Sequence, residues 1–96
     1  MTVYAVALLD ISDREGYETY ADGFMEIFSK YAGQVLAVDE NPRVIEGQWP
    51  YTRSVLISFP SAEEFDRWYG SPEYQALAKH RFKASTGSVA MLNGFS

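Results

Sequence analysis

Cysteine is absent from the 96 residues of this chain, and histidine occurs once, at His80. Without a thiol, the chain forms no disulfide, no thiolate nucleophile and no thiolate metal site. A metal site would depend on carboxylates, and no spacing of Asp and Glu matches an EF-hand or a metallohydrolase motif. Glycine-rich phosphate loops, catalytic serine motifs and dinucleotide fingerprints are also missing. We therefore expect neither a metal nor another cofactor.

Long hydrophobic runs and a basic leader are missing as well. No apolar stretch approaches the ~20 residues that cross a bilayer. The first residues, MTVYAVALLD, lack the positive charge of a signal peptide and are typical of a strand. Together with the lack of cysteine, this pattern predicts a cytoplasmic protein.

Basic residues are few, because eight Lys and Arg stand against thirteen Asp and Glu, a formal net charge of −5. A negative chain repels the phosphates of nucleic acids and of anionic membranes. The sequence therefore predicts neither a nucleic-acid partner nor a membrane partner.

Apolar and aromatic side chains are plentiful, at 47% and 16% of the residues. Such a composition is typical of a globular domain and argues against disorder. A chain of this length buries about two-thirds of its unfolded surface, which supports one core. We predict a single domain over residues 1–96.

One stretch, residues 53–74, contains a strand and two helix starts in succession. Apolar and polar side chains alternate from Arg53 to Phe59, which predicts a strand with one strongly apolar face. Ser61 and Glu64 then form a capping box that begins a helix. Ser71-Pro72 begins a second helix, with serine as N-cap and proline at the first helical position.

The chain before this stretch predicts a strand and a long helix. Val3 to Leu9 is apolar at nearly every position, as in a strand covered on both faces. Ser12 and Glu15 form a further capping box, and apolar residues recur at helical spacing for about five turns. Gly33 follows where a left-handed C-terminal cap is expected.

Two more strands complete the pattern. Gln34 to Glu40 is predicted as the second strand, and Asp39 to Glu46 as a hairpin-like arm with turn residues and a short extension. Gly47 to Thr52 is a loop with unusual aromatic content. Thr86 to Asn93 is the last strand, so the order of elements is βαββαβ.

This order is typical of an α+β fold, the ferredoxin-like plait, in which a four-stranded antiparallel sheet carries both helical units on one face. The first strand nevertheless presents apolar side chains to both faces, so the uncovered face is too apolar for a monomer. We therefore predict a two-fold homodimer with the two sheets packed face to face and the arm Asp39 to Glu46 reaching across.

Three short motifs stand out in the chain: Glu46-Gly47-x-Trp49-Pro50, Phe59-Pro60-Ser61 and Trp68-Tyr69-x-Ser71-Pro72-x-Tyr74-Gln75. Together they resemble the signature of a small, mostly bacterial family known as domain of unknown function thirteen-thirty. The resemblance spans essentially the whole chain. It implies a ferredoxin-like subunit and a dimer of the dimeric α/β-barrel superfamily, and it carries no established reaction.

Relatives elsewhere in that superfamily include monooxygenases that oxidise aromatic polyketides without a cofactor, isomerases and haem-binding proteins. A shared fold does not imply a shared reaction. His80 also departs from the family pattern, in which an aliphatic or basic residue is usual at this place. The departure argues against a family-wide catalytic role for the histidine.

Two neighbouring residues are the candidates for catalysis. His80 offers a lone imidazole as a general base, although a solvated position in a basic helix end is the simpler explanation. Arg81 suits a carboxylate substrate, because its guanidinium matches a carboxylate in two-pronged hydrogen bonds.

Aromatic residues near a strand end and two helix starts are the candidates for ligand binding. Trp49, Tyr69 and Tyr74 can line an apolar pocket with hydroxyl groups for orientation, or they can belong to the core. Glu46 and Arg53 flank the aromatic loop, where they either pair with each other or present an acid and a guanidinium to a ligand.

Two functions remain open from the sequence. The first is a dimer that binds a small aromatic or carboxylate-bearing molecule between the sheet and the helices, as a binding protein or a cofactor-independent enzyme. The second is a non-catalytic structural or protein-interaction dimer. Haem binding is a weaker third option, because it needs His80 as an axial ligand facing a large apolar cleft. An enclosed cavity with convergent polar groups would favour the first function.

Overall fold

The computed structural model describes residues 1–95, which form four strands and three helices. In chain order these are β1 (Val3–Ile11), α1 (Arg14–Phe28), β2 (Gln34–Asp39), β3 (Arg53–Phe59), α2 (Ala62–Tyr69), α3 (Pro72–Ala84) and β4 (Ser85–Asn93). The strands form one antiparallel sheet in the order β2-β3-β1-β4. The predicted ferredoxin-like plait is therefore confirmed.

The helices cover the sheet face that carries the odd-numbered residues of β1. Val3, Ala5 and Leu9 on this face are buried, and β3 adds Ile57 and Phe59 beside them. Aromatic side chains of α1, α2 and α3 pack over them and complete the core. The core thus lies between one sheet face and one layer of helices.

The helix starts at Ser61 and Ser71 are confirmed. The hydroxyl of Ser61 accepts a hydrogen bond from the backbone N–H of Glu64, at 3.2 Å. The hydroxyl of Ser71 accepts from the N–H of Tyr74, also at 3.2 Å, and Pro72 occupies the first turn of α3. Each serine satisfies a helix N–H that would otherwise lack a partner.

The predicted capping box at Ser12 is wrong, because the N-cap of α1 is Asp13. The Asp13 carboxylate accepts from the N–H of Gly16 at 3.2 Å. Ser12 instead donates its backbone N–H to the carbonyl oxygen of Ala84, at 2.8 Å. β1 continues to Ile11, and the hydrogen bond from Ser12 joins the next residue to the end of α3. α1 therefore begins one residue later than predicted.

Gly33 is not a left-handed helix cap. α1 ends at Phe28, which makes it shorter than predicted, and positive φ angles occur in residues 1–95 only at Gly47 and Gly87. A Cβ atom at Gly33 would lie 2.5 Å from the Phe28 ring and 2.6 Å from the Phe59 ring. Packing of the backbone against two aromatic rings explains this glycine.

The predicted hairpin-like arm is also wrong as secondary structure. β2 ends at Asp39, and residues 43–46 form no strand. Turn residues and a proline interrupt the ladder there, so the chain from Glu40 to Thr52 is irregular and mostly exposed.

The other sheet face, called the open face below, carries no helix in residues 1–95. Its central side chains are apolar and come from three strands, where the register places Val6 opposite Leu56 and Ala90. Leu92 on this face is 53% exposed. The apolar residues of the open face are Tyr4, Val6, Leu8, Leu56, Ala90 and Leu92, and Ser54, Ser58 and Ser88 lie beside them on the same face.

Candidate functional site

A cavity of about 690 Å³ lies between the sheet and the helices. Ala5 and Ala7 of β1 form part of its floor, and their small side chains leave space at the middle of the sheet. Tyr20 and Phe24 of α1 and Trp68 at the end of α2 are among its aromatic walls. The volume falls within the usual range of small-molecule sites.

An exposed part of the cavity lining, called the mouth below, lies at the sheet edge formed by β2. Met25 of α1 and Val35 and Val38 of β2 belong to it and are exposed, at 54%, 36% and 46%. Ser29 and Gln34 add polar groups at the same place. A ligand can therefore enter without displacing the buried core.

Two arginines are the charged residues that line the cavity, and within residues 1–95 no carboxylate or imidazole lines it with them. Arg53 comes from the first position of β3 and Arg81 from the last turn of α3. The chain as a whole carries a net charge of −5. A pocket whose fixed charges are both positive thus lies inside an acidic protein.

Arg81 is buried, with 8% of its surface exposed. Its Cζ atom lies 4.9 Å from the ring centroid of Phe82 and 5.7 Å from that of Tyr20. Among the described residues it forms no salt bridge. Burial by itself lowers the pKa of Arg81, but the neighbouring phenol groups of Tyr74 and Tyr20 outweigh burial, so the pKa lies above its ordinary value.

Two tyrosine hydroxyls meet beside this guanidinium. The Tyr20 and Tyr74 oxygen atoms lie 2.7 Å apart in a buried hydrogen bond. Burial and the proximity of Tyr74 raise the pKa of Tyr20 far above its ordinary value. Tyr20 therefore stays protonated and supplies an O–H group to the cavity wall.

The second arginine, Arg53, is held by an ion pair with Glu40. Its Nη1 atom lies 2.9 Å from a carboxylate oxygen of Glu40, and the same oxygen lies 2.9 Å from Nη1 of Arg14. The Arg53 Cζ atom lies 5.3 Å from the ring centroid of Tyr17. Burial raises the pKa of the Tyr17 phenol, and Arg53 opposes the rise in part. Glu40 thus fixes Arg53 from outside the cavity.

A second, shallower pocket of about 480 Å³ adjoins the cavity beside α3 and β4. Leu9, Tyr69, Arg81 and Val89 line both spaces. Arg81 consequently stands at the boundary between the main cavity and a surface recess.

Four of the residues proposed from the sequence line the cavity: Arg53, Tyr69, Tyr74 and Arg81. His80 is exposed on α3 and lines neither pocket. Glu46 is exposed in the loop between β2 and β3, and Arg53 pairs with Glu40 rather than with Glu46. The structure therefore brings together the arginines and tyrosines and separates them from the acid and the imidazole.

Trp49 is 42% exposed, and its indole N–H donates to the hydroxyl of Ser54 at 3.1 Å. Ser54 pairs with Leu8 and so points to the open face of the sheet. The ring of Trp49 meets that of Tyr51 edge to face, with centroids 5.8 Å apart. Trp49 thus lies on the side of the sheet away from the cavity.

Tyr17 and Tyr20 are cavity residues on the apolar stripe of α1 that the sequence interpretation did not name as site residues. Both are buried, and their ring centroids are 5.4 Å apart. The first half of this stripe carries tyrosine, whereas the second half carries Phe24 and Phe28. Because buried hydroxyls need hydrogen-bond partners, the change from tyrosine to phenylalanine along the stripe was the sequence feature that could have identified Tyr17 and Tyr20 as site residues.

The donor set suits an organic anion better than a metal or haem. In the part of the chain that the structure describes, no three His, Asp or Glu side chains are grouped to hold a metal ion. The only histidine lies outside the cavity. Guanidinium and phenol groups donate hydrogen bonds to oxygen anions, and the aromatic walls accommodate an apolar body.

Membrane insertion through a helix has no support in residues 1–95, where no helix combines the length and apolarity needed to cross a bilayer.

Several solved structures share the fold. A protein of unknown function from Rhodopseudomonas palustris matches with a TM-score of 0.82 and 16% identity, over 99% of this chain and 83% of that one. SnoaB, a cofactor-independent oxygenase from Streptomyces nogalater, matches with a TM-score of 0.73 and 11% identity, over 99% and 94% of the two chains. A dimeric protein of unknown function with a ferredoxin-like fold from Bacteroides fragilis matches with a TM-score of 0.68 and 14% identity, over 98% and 96%.

A search among curated proteins found no relative of this sequence. The family model described as Domain of unknown function (DUF1330) matches residues 2–95, and the chain belongs to that family.

Proposed function

We propose that this protein is a homodimer whose subunits each bind a small organic anion with an aromatic or other apolar body. The observation that carries the proposal is Arg81, a buried guanidinium without a carboxylate partner among the described residues, at the wall of an aromatic cavity. A chain without cysteine suits a reducing compartment, and we assign the protein to the bacterial cytoplasm as part of this proposal.

Burying a cation without an anion is costly, because the charge loses its hydration. Phenol groups of Tyr20 and Tyr74 compensate Arg81 only with partial charges. A ligand carboxylate would supply the missing opposite charge in an environment of low polarity, where the attraction is strong. An anion would thus add a charge–charge attraction that the phenol groups do not supply.

The open face supports the homodimer. Its centre is apolar across three strands, where Val6, Leu56 and Ala90 lie side by side, and exposed apolar patches of this kind often mark interaction sites. The structural neighbour from Bacteroides fragilis is dimeric and shares the fold. A second copy packed sheet to sheet would cover the open face and leave both cavity mouths accessible.

Binding is supported more directly than catalysis. One structural neighbour, SnoaB, is a cofactor-independent oxygenase, so a cofactor-free enzyme is a natural extension of the proposal. The cavity wall within residues 1–95 nevertheless contains no carboxylate or imidazole to act as a base. The alternative, a non-catalytic structural or protein-interaction dimer, makes the opposite prediction for ligand binding.

Tryptophan fluorescence tests the proposal, since the chain contains two tryptophans and only Trp68 lines the cavity. A Trp49→Phe variant leaves Trp68 as the sole indole reporter. We expect naphthoate to change its emission and to raise the melting temperature, and neutral naphthamide to do so at least tenfold more weakly. Stabilisation follows because a ligand that binds the folded state shifts the unfolding equilibrium.

Ala7→Leu in the same background is the matched cavity variant. The larger side chain fills the floor of the cavity, so naphthoate binding should be lost while the variant stays folded. Equal binding of naphthoate and naphthamide would contradict anion recognition. No binding of any aromatic acid in a broad panel would support the structural or protein-interaction alternative.

A further inference from the structure

We infer that the cavity binds weak oxygen acids, namely enols and phenols, as their anions, with the ionised oxygen beside Arg81 and the hydroxyl pair Tyr20–Tyr74. This inference rests on the proposed function, because it assigns a substrate class to the same cavity. It goes further in one respect: a carboxylate arrives already charged, whereas an enol or a phenol must ionise in the site.

The first argument is the asymmetry of the polar groups around this point. Arg81 offers N–H donors and no acceptor, and its charge is permanent. No carboxylate in the described cavity wall competes for those donors or repels an oxygen anion. A neutral hydroxyl of the ligand and its conjugate base therefore bind here with different affinities, since the permanent positive charge of Arg81 favours the anion.

The second argument is the count of hydroxyl hydrogens. Tyr20 and Tyr74 bring two O–H groups, and their mutual hydrogen bond at 2.7 Å uses one hydrogen, whichever oxygen donates it. The other hydrogen remains free to donate to a third oxygen. A donor hydroxyl next to a guanidinium is the arrangement that stabilises charge developing on an oxygen atom.

The third argument is the aromatic wall over which the ligand body would lie. Trp68 and Tyr74 have ring centroids 4.3 Å apart, and Phe24 meets Trp68 edge to face at 5.9 Å. Flat walls of this kind suit planar conjugated ligands. In such ligands the negative charge of an enolate or phenolate spreads into the ring system, which lowers the cost of bringing the anion into an apolar cavity.

The ionisation step balances without a co-reactant. The O–H bond of the ligand breaks, both electrons stay on the ligand oxygen, and the proton passes to water. Solvent is the acceptor because the described wall contains no carboxylate or imidazole to take the proton, and part of the lining, including Met25, is exposed to water. Nothing is oxidised or reduced. The protein alters only the equilibrium between the two protonation states.

The test uses para-nitrophenol, whose absorbance reports its own ionisation, and para-nitrobenzoate as the acid that is already charged. Each is titrated with pH at saturating concentrations of full-length protein. We expect the pKa of bound para-nitrophenol to fall by about one unit or more relative to free solution, as for a group beside an opposite charge. Such a shift corresponds to roughly tenfold tighter binding of the anion than of the neutral phenol.

Three variants assign the effect. Arg81→Gln removes the charge and should abolish the pKa shift of the bound phenol. The double variant Tyr20→Phe with Tyr74→Phe keeps both rings, removes both hydroxyls and with them the free hydrogen, and should reduce the shift. Lys79→Gln removes a positive charge at an exposed position of α3 outside the cavity and should leave the shift unchanged. Circular dichroism and thermal melting of each variant establish that it is folded.

The outcomes separate the two claims. If para-nitrobenzoate binds while bound para-nitrophenol keeps or raises its pKa, the inference is overturned and anion binding stands. Binding of para-nitrobenzoate without any binding of para-nitrophenol overturns the inference as well. If neither compound binds, both the inference and the proposed function fail. An equal shift in Arg81→Gln would assign the effect to another group and overturn the role of Arg81.

Discussion

The hydroxyl oxygens of Tyr20 and Tyr74 lie 2.7 Å apart, although the two residues are 54 positions apart in the chain. Their hydrogen bond joins α1 to α3, and the aromatic rings themselves meet edge to face with centroids 6.2 Å apart. The same pair stands beside Arg81 at the cavity wall. One contact therefore serves both the packing of the helix layer and the polar end of the candidate site.

Replacing Tyr20 by phenylalanine should destabilise the fold measurably. The variant keeps the ring but leaves the buried Tyr74 hydroxyl without its partner. An unsatisfied buried polar group costs about 1–3 kcal/mol, and we expect a loss of that size in the free energy of unfolding. Urea denaturation of the wild type and the variant measures it.

Tyr31→Phe is the control for this prediction, because the Tyr31 hydroxyl bonds to Glu73 in a part-buried position where water can replace it. Its loss should be smaller, below about 1 kcal/mol. The double variant Tyr20→Phe with Tyr74→Phe should lose less than the sum of the two single variants, since neither hydroxyl is then left alone. Strict additivity would show that the two hydroxyls do not interact.

Glu40 should make the free energy of unfolding depend on pH in the acidic range. Hydrogen bonds from Arg14 and Arg53 lower the pKa of Glu40 below its ordinary value. Between the pKa of Glu40 in the folded protein and its pKa in the unfolded chain, the unfolded chain binds more protons. The stabilisation from Glu40 is therefore complete above the usual carboxyl pKa of about 4.3, and it is lost as the pH falls through the pKa of the folded state. Urea unfolding over a series of pH values should show a stability difference between wild type and Glu40→Gln that shrinks on acidification.

The size of that difference should stay below about 1 kcal/mol, because the Glu40 side chain is 40% exposed and solvent screens its ion pairs. Glu46→Gln is the matched control, as Glu46 is exposed and forms no salt bridge within residues 1–95. It should follow the wild-type curve. A constant difference for Glu40→Gln across the whole pH range would mean that the ion pairs are not its source.

Local patterns predicted the elements of this fold well. β3 and the N-caps at Ser61 and Ser71 were predictable because alternation and capping are properties of short segments. Gly33 was misassigned because its reason is tertiary, namely the rings of Phe28 and Phe59 that close over it. The predicted arm was wrong because turn residues near Asn41 and Pro42 end the hydrogen-bond ladder of β2, and no strand follows there.

The candidate site was predictable only in part. Arg53 and Arg81 were visible as cations near aromatic residues, but sequence spacing does not show which side of a sheet a loop covers. Trp49 consequently seemed to belong to the pocket, whereas its bond to Ser54 holds it on the open face. Tyr20 was not predicted as a site residue, because nothing local reveals that its hydroxyl meets that of Tyr74 on another helix.

Gly87 should tolerate no side chain. Its φ angle is +154°, and a Cβ atom would lie 2.1 Å from the carbonyl oxygen of Leu8, inside the β1–β4 ladder. Gly47→Ala is the control, because Gly47 also has a positive φ, +84°, but has nothing within 4 Å of the added atom. We expect about 1 kcal/mol of destabilisation at Gly47 and more than about 2 kcal/mol at Gly87. Equal losses in thermal or urea unfolding would refute the steric explanation.

Leu92 tests the homodimer. Its side chain lies on the open face and is 53% exposed in the single chain, so Leu92→Asp should cost the subunit itself little stability. In a dimer packed sheet to sheet, however, the new carboxylate would be buried in an apolar interface without a partner, which is costly. We expect the wild type to sediment as a dimer at micromolar concentration and the variant to sediment as a monomer.

Phe82→Asp is a closely matched control, because Phe82 is also 53% exposed but lies on α3, on the helix side of the molecule. This variant introduces the same charge at the same exposure and should remain dimeric. If both variants dissociate, the dimer contact is not specific to the open face. If the wild type is a monomer, or if Leu92→Asp remains a dimer, the apolar open face has another role and sheet-to-sheet assembly is wrong.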